Sequence, residues 1–550
     1  MVSKARFDSN RLYFIPLGGS GEIGMNLNVY AFGGKLLVVD VGVTFEDEPG
    51  VDVVMADISW LASQKKHIAG IVITHAHEDH IGAAGHLWEQ LKAPFYATPF
   101  TAGFLAHKLK ECKVKAPVHI VPTDGHEQIG PFGVGFIRLT HSIPEPSGLA
   151  IQTEAGTVVH TGDWKIDPKP VLGQKTNEEA LESLGKSGVL AMVCDSTCVF
   201  EKGWSGSEQQ VQDFMVSHLP SYQKGRIVVA CFASNVARLL TCYKAAQACG
   251  RRVVLAGRSL DRIDRIAREV GYFDDVPAFL RDSEGANLPP EKVLIVATGS
   301  QGEERAALVR MAYDNHPKLK LQQGDTVLFS SRVIPGNEVG IFAVQNQLAR
   351  KGVRVVTPKD FPDMHVSGHP SRDELDQMYK WIKPKIAVPV HGEYRHLKEH
   401  AAFAVARGSK SVVPENGDVI VLDPKSGPKK VGQVPSGRVG VDGNRLLPMD
   451  GDVLPERKML KDAGVVSVAI SAQKGLSVSI RGLGVAEGPE RDELVDDLSS
   501  AIKRLVGHGA SSVRGSDANL ERAIQKEVRS TVNNILGKKP IVLVHLLDMD

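Results

Sequence analysis

The chain has 550 residues, 42% of them hydrophobic and 23% charged, with a formal net charge of +1. That length is too great for one core and predicts roughly two to four domains of ordinary globular composition, and the near-neutral balance excludes nucleic-acid binding through a global field, leaving only a local basic groove. No apolar run approaches the roughly 20 residues of a membrane span, and residues 1–10 are polar and mixed in charge, so the expectation is a cytoplasmic protein with no membrane partner.

The first predicted strand, Leu12-Tyr13-Phe14-Ile15, leads into Gly19-Ser20-Gly21-Glu22-Ile23-Gly24, which matches the dinucleotide pattern G-x-G-x-x-G. That motif has to open a helix. Here residues 28–32, the Gly33-Gly34 turn and residues 35–40 read instead as a two-stranded hairpin, so dinucleotide binding is rejected. The glycines are expected to let the loop pass close to a site farther along, leaving room for a substrate phosphate. That site announces itself after the apolar Ile71-Val72-Ile73, in Thr74-His75-Ala76-His77-Glu78-Asp79-His80, where three imidazoles and two carboxylates crowd the end of a strand. His75 and His77 can reach one cation, while Asp79 and His80 can reach a second about 3.5–4 Å away. A solvated His-rich loop is the bland alternative, and the density of ligand-type side chains argues against it.

Two ions need more ligands than this run supplies. Three later residues repeat the strand-end placement: His141 after residues 134–139, Asp163 after Val158-Val159-His160, where a carboxylate can bridge both ions, and His391 after residues 386–390. Each alone is weak; the repetition carries the argument. Between Asp163 and His391 lies an insertion with none of these ligands. From about 207 to 357 it alternates strands (226–231, 252–256, 292–297, 326–330, 353–356) with helices such as 235–249 and 259–270, the rhythm of a mostly parallel sheet. Residues 442–461 are rich in glycine and proline and read as a linker. The remainder alternates strands (465–470, 476–480, 541–547) and helices (491–506, 519–536), a small α/β module. The six cysteines read as reduced, buried thiols, since Cys194 and Cys198 have no second pair to complete a zinc knuckle.

The run His75 to His80, with His141, Asp163 and His391, resembles the metallo-β-lactamase fold. Asp195 in Val193-Cys194-Asp195-Ser196-Thr197, His369 in Val366-Ser367-Gly368-His369, and His391 resemble the three signatures of its β-CASP branch, which acts on nucleic acids. Phe232-Ala233-Ser234-Asn235, Thr298-Gly299-Ser300-Gln301-Gly302-Glu303, Ile334-Pro335-Gly336-Asn337-Glu338 and His391-Gly392-Glu393-Tyr394-Arg395-His396-Leu397 are similar to the bacterial ribonuclease J family. The chain departs from that family at Glu304-Arg305, where a proline is expected, and at Val236-Ala237-Arg238, in place of Ile-His-Arg.

The resemblance implies an α/β chain: a metallo-β-lactamase αββα sandwich over 1–206 and 359–442, an inserted β-CASP α/β domain over 207–358, a linker over 443–464 and a C-terminal α/β domain over 465–550. It implies a metal-dependent ribonuclease of RNA processing and decay, a 5′-to-3′ exonuclease and endonuclease acting on single-stranded RNA with a 5′-monophosphate, and a homodimer or homotetramer. Two divalent ions are expected, zinc first and manganese or magnesium as alternatives. By resemblance, His75, His77 and His141 hold one, Asp79, His80 and His391 the other, and Asp163 bridges. Asp79, Asp195 and His369 carry the chemistry, with His369 protonating the leaving oxygen or stabilising the scissile phosphate and Asp195 orienting imidazoles. Ser234 and Asn235 at a helix start, closed by Ser367 and His369, would hold the 5′-phosphate one nucleotide from the ions, although Ser and Asn there are commonly just a helix cap. Arg238, Arg258, Arg262, Arg265 and Arg332 are expected to line the RNA cleft. A DNA-acting β-CASP nuclease, a small-molecule metallo-hydrolase and a metal-free RNA-binding scaffold are the competing readings.

Overall fold

Two sheets share one apolar core in the computed structural model, which describes residues 7–471, 476–508 and 517–547. Residues 1–6 of the polar start and the last three residues of the C-terminal module therefore lie outside the described residues. The chain divides into two compact units, Met1–Thr44 with Met55–Gly437, and Phe45–Val54 with Arg438–Asp550.

In the first unit an eight-stranded sheet runs in the order Gly427–Gln433, Asp418–Asp423, Tyr13–Gly18, Leu27–Phe32, Lys35–Val39, Ile68–Val72, Phe95–Ala97, Val118–Ile120. The predicted hairpin is thus present, and no helix follows the glycine motif. A seven-stranded sheet runs His126–Ile129, Phe132–Arg138, Ser147–Thr153, Gly156–His160, Ala191–Asp195, Ile386–Val390, Lys410–Ser411. Strand periodicity decides which side chains meet: Phe14, Tyr30 and Leu37 from one sheet pack on Val158, Val193 and Val388 from the other. The intervening residues Val159, Met192 and Ala387 face outward and are covered by Leu181, Leu375, Met378 and Phe403 on the helices Glu178–Ser187, Arg372–Ile382 and Tyr394–Val405. With Pro99–Glu111 packed on the strands Phe95–Ala97 and Val118–Ile120 of the eight-stranded sheet, the layering is αββα.

The insertion leaves and rejoins this sandwich at neighbouring strands, because Ala191–Asp195 and Ile386–Val390 pair in parallel with Asp195 opposite Val390. It contains a fully parallel sheet ordered Arg252–Ala256, Val293–Ala297, Ile227–Ala230, Thr326–Phe329, Arg354–Val356, with its own core. The predicted helices appear as Val236–Ala248 and Arg258–Glu269. In the second unit a three-stranded sheet (Ser477–Leu483, Val465–Ser471, Ile541–Leu547) buries one face against Gly488–His508 and Asp517–Leu536. The expected linker over 443–464 needs correction. It holds the strand Arg445–Pro448, paired with Arg438–Asp442, and the helix Val453–Ala463, whose Arg457 donates to both Asp442 carboxylate oxygens at 3.0 Å. Glycines there make turns between elements. No helix among the described residues is long and apolar enough to cross a membrane.

One buried imidazole of the sandwich makes a pH prediction. His400 is fully buried, with Nδ1 2.8 Å from the Ser196 hydroxyl and Nε2 3.0 Å from the Tyr379 hydroxyl. Burial pushes its pKa down to about 4. The unfolded imidazole takes up its proton near 6.5 and the folded one only near 4, so its contribution to stability is full above about 6.5 and falls by up to about 3 kcal/mol as pH drops through that window. Thermal unfolding of wild type and His400→Gln should show the wild-type advantage at pH 7.5 shrinking steadily toward pH 4.5; a constant gap would contradict it.

Candidate metal centre

Every candidate ligand stands just past the end of a strand in the first unit. His75, His77, Asp79 and His80 follow Ile68–Val72, His141 follows Phe132–Arg138, Asp163 follows Gly156–His160, and His391 follows Ile386–Val390. The structure brings all seven together. His75, His77, His141 and Asp163 form one group and Asp79, His80, Asp163 and His391 another, the ligand atoms of each lying within 4.8 Å of one another.

In the first group His77 Nδ1 is 3.1 Å from His75 Nε2 and 3.0 Å from His141 Nε2. The other nitrogen of each ring is already engaged: His75 Nδ1 with Thr74 Oγ1 at 3.1 Å, His141 Nδ1 with the Gly368 carbonyl at 2.5 Å, His77 Nε2 with Ser234 Oγ at 3.1 Å. Proton placement of this kind leaves three lone pairs aimed at one region, which suits a cation. Burial keeps these rings neutral, holding His75 and His141 well below the ordinary histidine value and His77 at about 3.

The second group carries negative charge. Asp163 Oδ1 lies 3.2 Å from His80 Nε2, and Asp163 Oδ2 3.3 Å from His391 Nε2, while Asp79 Oδ2 is 3.6 Å and 3.5 Å from the same two nitrogens. Asp163 is 3% exposed, and its Oδ1 makes no hydrogen bond among the described residues. A buried carboxylate oxygen left unbonded costs several kcal/mol unless a cation meets it, so the donor set fits divalent metal. Against burial, the carboxylates raise His80 and His391, and those imidazoles hold Asp163 well below the usual carboxylate range.

Outer contacts fix these ligands. Asp40 accepts from Thr74 N at 2.8 Å and Thr74 Oγ1 at 2.9 Å, and is 2.8 Å from His80 Nδ1, leaving Nε2 to ligate. Asn26 Nδ2 lies 3.1 Å from His80 Nε2 and 3.0 Å from His391 Nδ1. His391 has a left-handed backbone (φ +52°) and donates its N–H to the Gly19 carbonyl at 2.7 Å. The glycine loop therefore buttresses a ligand: a Cβ at Gly18 would meet the Met25 carbonyl and one at Gly19 the Asn26 side chain, whereas Gly21 faces open space. Sequence reasoning missed Asp40 and Asn26. Asp40 had the same strand-end signal, following Lys35–Val39; Asn26 had none. Asp40→Asn is expected to weaken metal binding by about 10–100-fold with the fold retained, since it removes the acceptor that sets the His80 tautomer. Titration against a chromophoric chelator checks this, and an unchanged affinity would contradict it.

Asp195 and His369 join the centre's edge, forming a third group with Asp163 and His391. Asp195 Oδ2 is 2.8 Å from His369 Nδ1, and its Oδ1 accepts from Thr197 N and Oγ1 at 2.8 and 2.7 Å. Burial alone would lower His369, but Asp195 and Asp163 outweigh it and push its pKa up to about 10. Ser367 lies beside it, its Oγ accepting from His369 N at 3.1 Å. Ser234 stands across one imidazole ring, that of His77, from the ligand atoms. Asn235 does not face this space: its Oδ1 accepts from Arg238 N at 2.9 Å and its Nδ2 donates to Glu208 at 3.3 Å, so its side chain is the helix cap. Among the expected cleft arginines, Arg238 is fully buried against Glu208, Arg262 bonds Glu111 and Arg332 bonds Glu201, while Arg258 and Arg265 are exposed.

Comparison with known proteins matches four stretches. Residues 26–184 fit the model of the metallo-beta-lactamase superfamily, 224–348 that of the ribonuclease J beta-CASP domain, 362–414 that of the Zn-dependent metallo-hydrolase RNA specificity domain, and 452–549 that of the ribonuclease J C-terminal domain. The chain is 42% identical over 562 residues to a ribonuclease J of Sinorhizobium meliloti, covering 99% of each. It is 35% identical to one of Helicobacter pylori strain B128 (96% of this chain, 78% of the relative) and 33% identical to one of Thermus thermophilus (96% and 94%). A crystal structure of a protein of unknown function from Enterococcus faecalis shares the fold, at TM-score 0.52 and 16% identity, over 75% of this chain and 100% of that one.

Proposed function

The chain belongs to the ribonuclease J family, and on that footing we propose that it is a metal-dependent ribonuclease that removes nucleotides from the 5′ end of monophosphorylated RNA and also cuts internally. The observation that carries the hydrolytic reading is the convergence of His75, His77 and His141, and of Asp79, His80 and His391, on the shared Asp163. The proposed occupants are two divalent ions, zinc first, which when bound supply the Lewis acidity that activates water and neutralises phosphoryl charge. In the proposed reaction the water oxygen bonds to phosphorus as the bond to the ribose 3′ oxygen breaks. Asp163 and the six flanking ligands set the charge and orientation of that centre, with Asp40 holding the His80 ring and Asn26 the His391 ring, each through Nδ1. With Nδ1 held by Asp195, His369 keeps its Nε2 proton for the leaving 3′ oxygen or for the scissile phosphate.

The proposed 5′-phosphate pocket uses Ser234 on one side and Ser367 with His369 on the other, at the start of the helix Val236–Ala248. Its support is the contact that sets Ser234 one imidazole ring away from the ligand atoms and the Asn235 cap that holds the helix start in place. A triphosphate would crowd that space. The test compares RNAs of one sequence carrying a 5′-monophosphate or a 5′-triphosphate, with matched DNA alongside. Wild type should favour the monophosphorylated RNA, and Ser234→Ala should reduce that preference about tenfold. Equal cleavage of all three by wild type would defeat the proposal.

A further inference from the structure

We infer that Arg238 and Glu208 form a buried brace that holds the two walls of the 5′-phosphate pocket in register, making them positioning residues for recognition of the RNA end. This rests on the pocket proposed above. Arg238 is 0% exposed and Glu208 4%, so the pair sits in the interior. Arg238 Nη2 lies 3.1 and 3.0 Å from the two Glu208 oxygens, and Nη1 donates to the carbonyls of Ser330 (3.0 Å) and Met364 (3.4 Å) and to Ser330 Oγ. Ser330 Oγ in turn donates to the Met364 carbonyl at 2.5 Å.

These bonds tie together segments that are distant in sequence. One wall of the pocket is Ser234, whose neighbour Asn235 bonds Glu208 directly. The other is Ser367 with His369, only three and five residues beyond Met364 on the strand-free stretch that returns from the insertion. A third tie runs to the metal centre: Glu208 N and Ser207 Oγ donate to Asp167 at 2.9 and 2.6 Å, four residues beyond Asp163. An apolar pair of similar volume would hold such an interior at least as stably, because desolvating two charges offsets most of their attraction. The directional guanidinium instead sets where three backbone segments lie relative to one another, which packing alone does loosely.

The test measures kcat and KM on 5′-monophosphate and 5′-hydroxyl RNA of one sequence, for wild type, the double variant Glu208→Gln/Arg238→Met, and Ser330→Ala. Replacing both charges avoids leaving either buried alone, so the double variant is expected to fold. Its preference for the monophosphate should fall about tenfold or more through a higher KM for that RNA, with Ser330→Ala moving the same way by a smaller factor. A merely structural pair would lower kcat/KM on both RNAs alike and leave the ratio untouched. Wild-type preference persisting in the double variant overturns the brace alone; if that variant fails to fold, an unchanged ratio in Ser330→Ala does so. A wild type with no preference overturns the pocket and the brace with it.

Discussion

Asp163→Asn is expected to lower phosphodiester cleavage by about a thousandfold or more, roughly 4 kcal/mol of transition-state stabilisation. The reason is geometric. Among the described residues Asp163 is the one that belongs to both of these ligand groups, its Oδ1 against His80 and its Oδ2 against His391, with His75 and His141 at 3.9 and 3.8 Å from Oδ2. Asparagine keeps the volume but turns one lone-pair donor into an NH₂ that points protons at an imidazole or at the cation. Loss should therefore extend to every RNA, whatever its 5′ end, and metal content measured on the purified variant should fall below wild type. A variant that keeps a tenth of wild-type activity would remove Asp163 from the centre.

Stripping metal with a chelator is expected to abolish cleavage and to lower the thermal midpoint, and re-addition should reverse both. The buried centre aims three imidazole lone pairs at one region and leaves an Asp163 oxygen without a hydrogen bond, so its native geometry is stabilised mainly by what binds there. An ion present at a thousand times its dissociation constant contributes about 4 kcal/mol. Calorimetry before and after chelation reads the shift. Restoring zinc, manganese or magnesium separately, and scoring both midpoint and RNA cleavage, separates the ion that fits from the ion that works. An unmoved midpoint would mean that the cluster carries no structural ion.

Much of this was legible in the residues. Strand-end placement marked His75, His141, Asp163 and His391, because a strand fixes the position of whatever follows it, and the sheet order then closes the gaps between them. The same signal was present at Asp40, which reads simply as the last residue of the hairpin's second strand; nothing local tells a ligand's hydrogen-bond partner from a strand end. Asn235 satisfies the ordinary rule for its position and caps a helix. Arg238 was misjudged because arginines are usually exposed, and its burial depends on Glu208 thirty residues earlier, a pairing that no window of sequence displays. The stretch 443–464 looked like a linker because glycine and proline mark turns equally well inside a folded module.

The return of the insertion beside its point of departure has a consequence for synthesis. His391 follows the strand that pairs with Ala191–Asp195, so well over two hundred residues must be made between Asp163, the last ligand of the first group, and His391, the last of the second. A growing chain still short of that histidine lacks one corner of the second position, and the ribosome making it remains unexposed to a finished cutting centre until translation has passed well beyond the middle of the message.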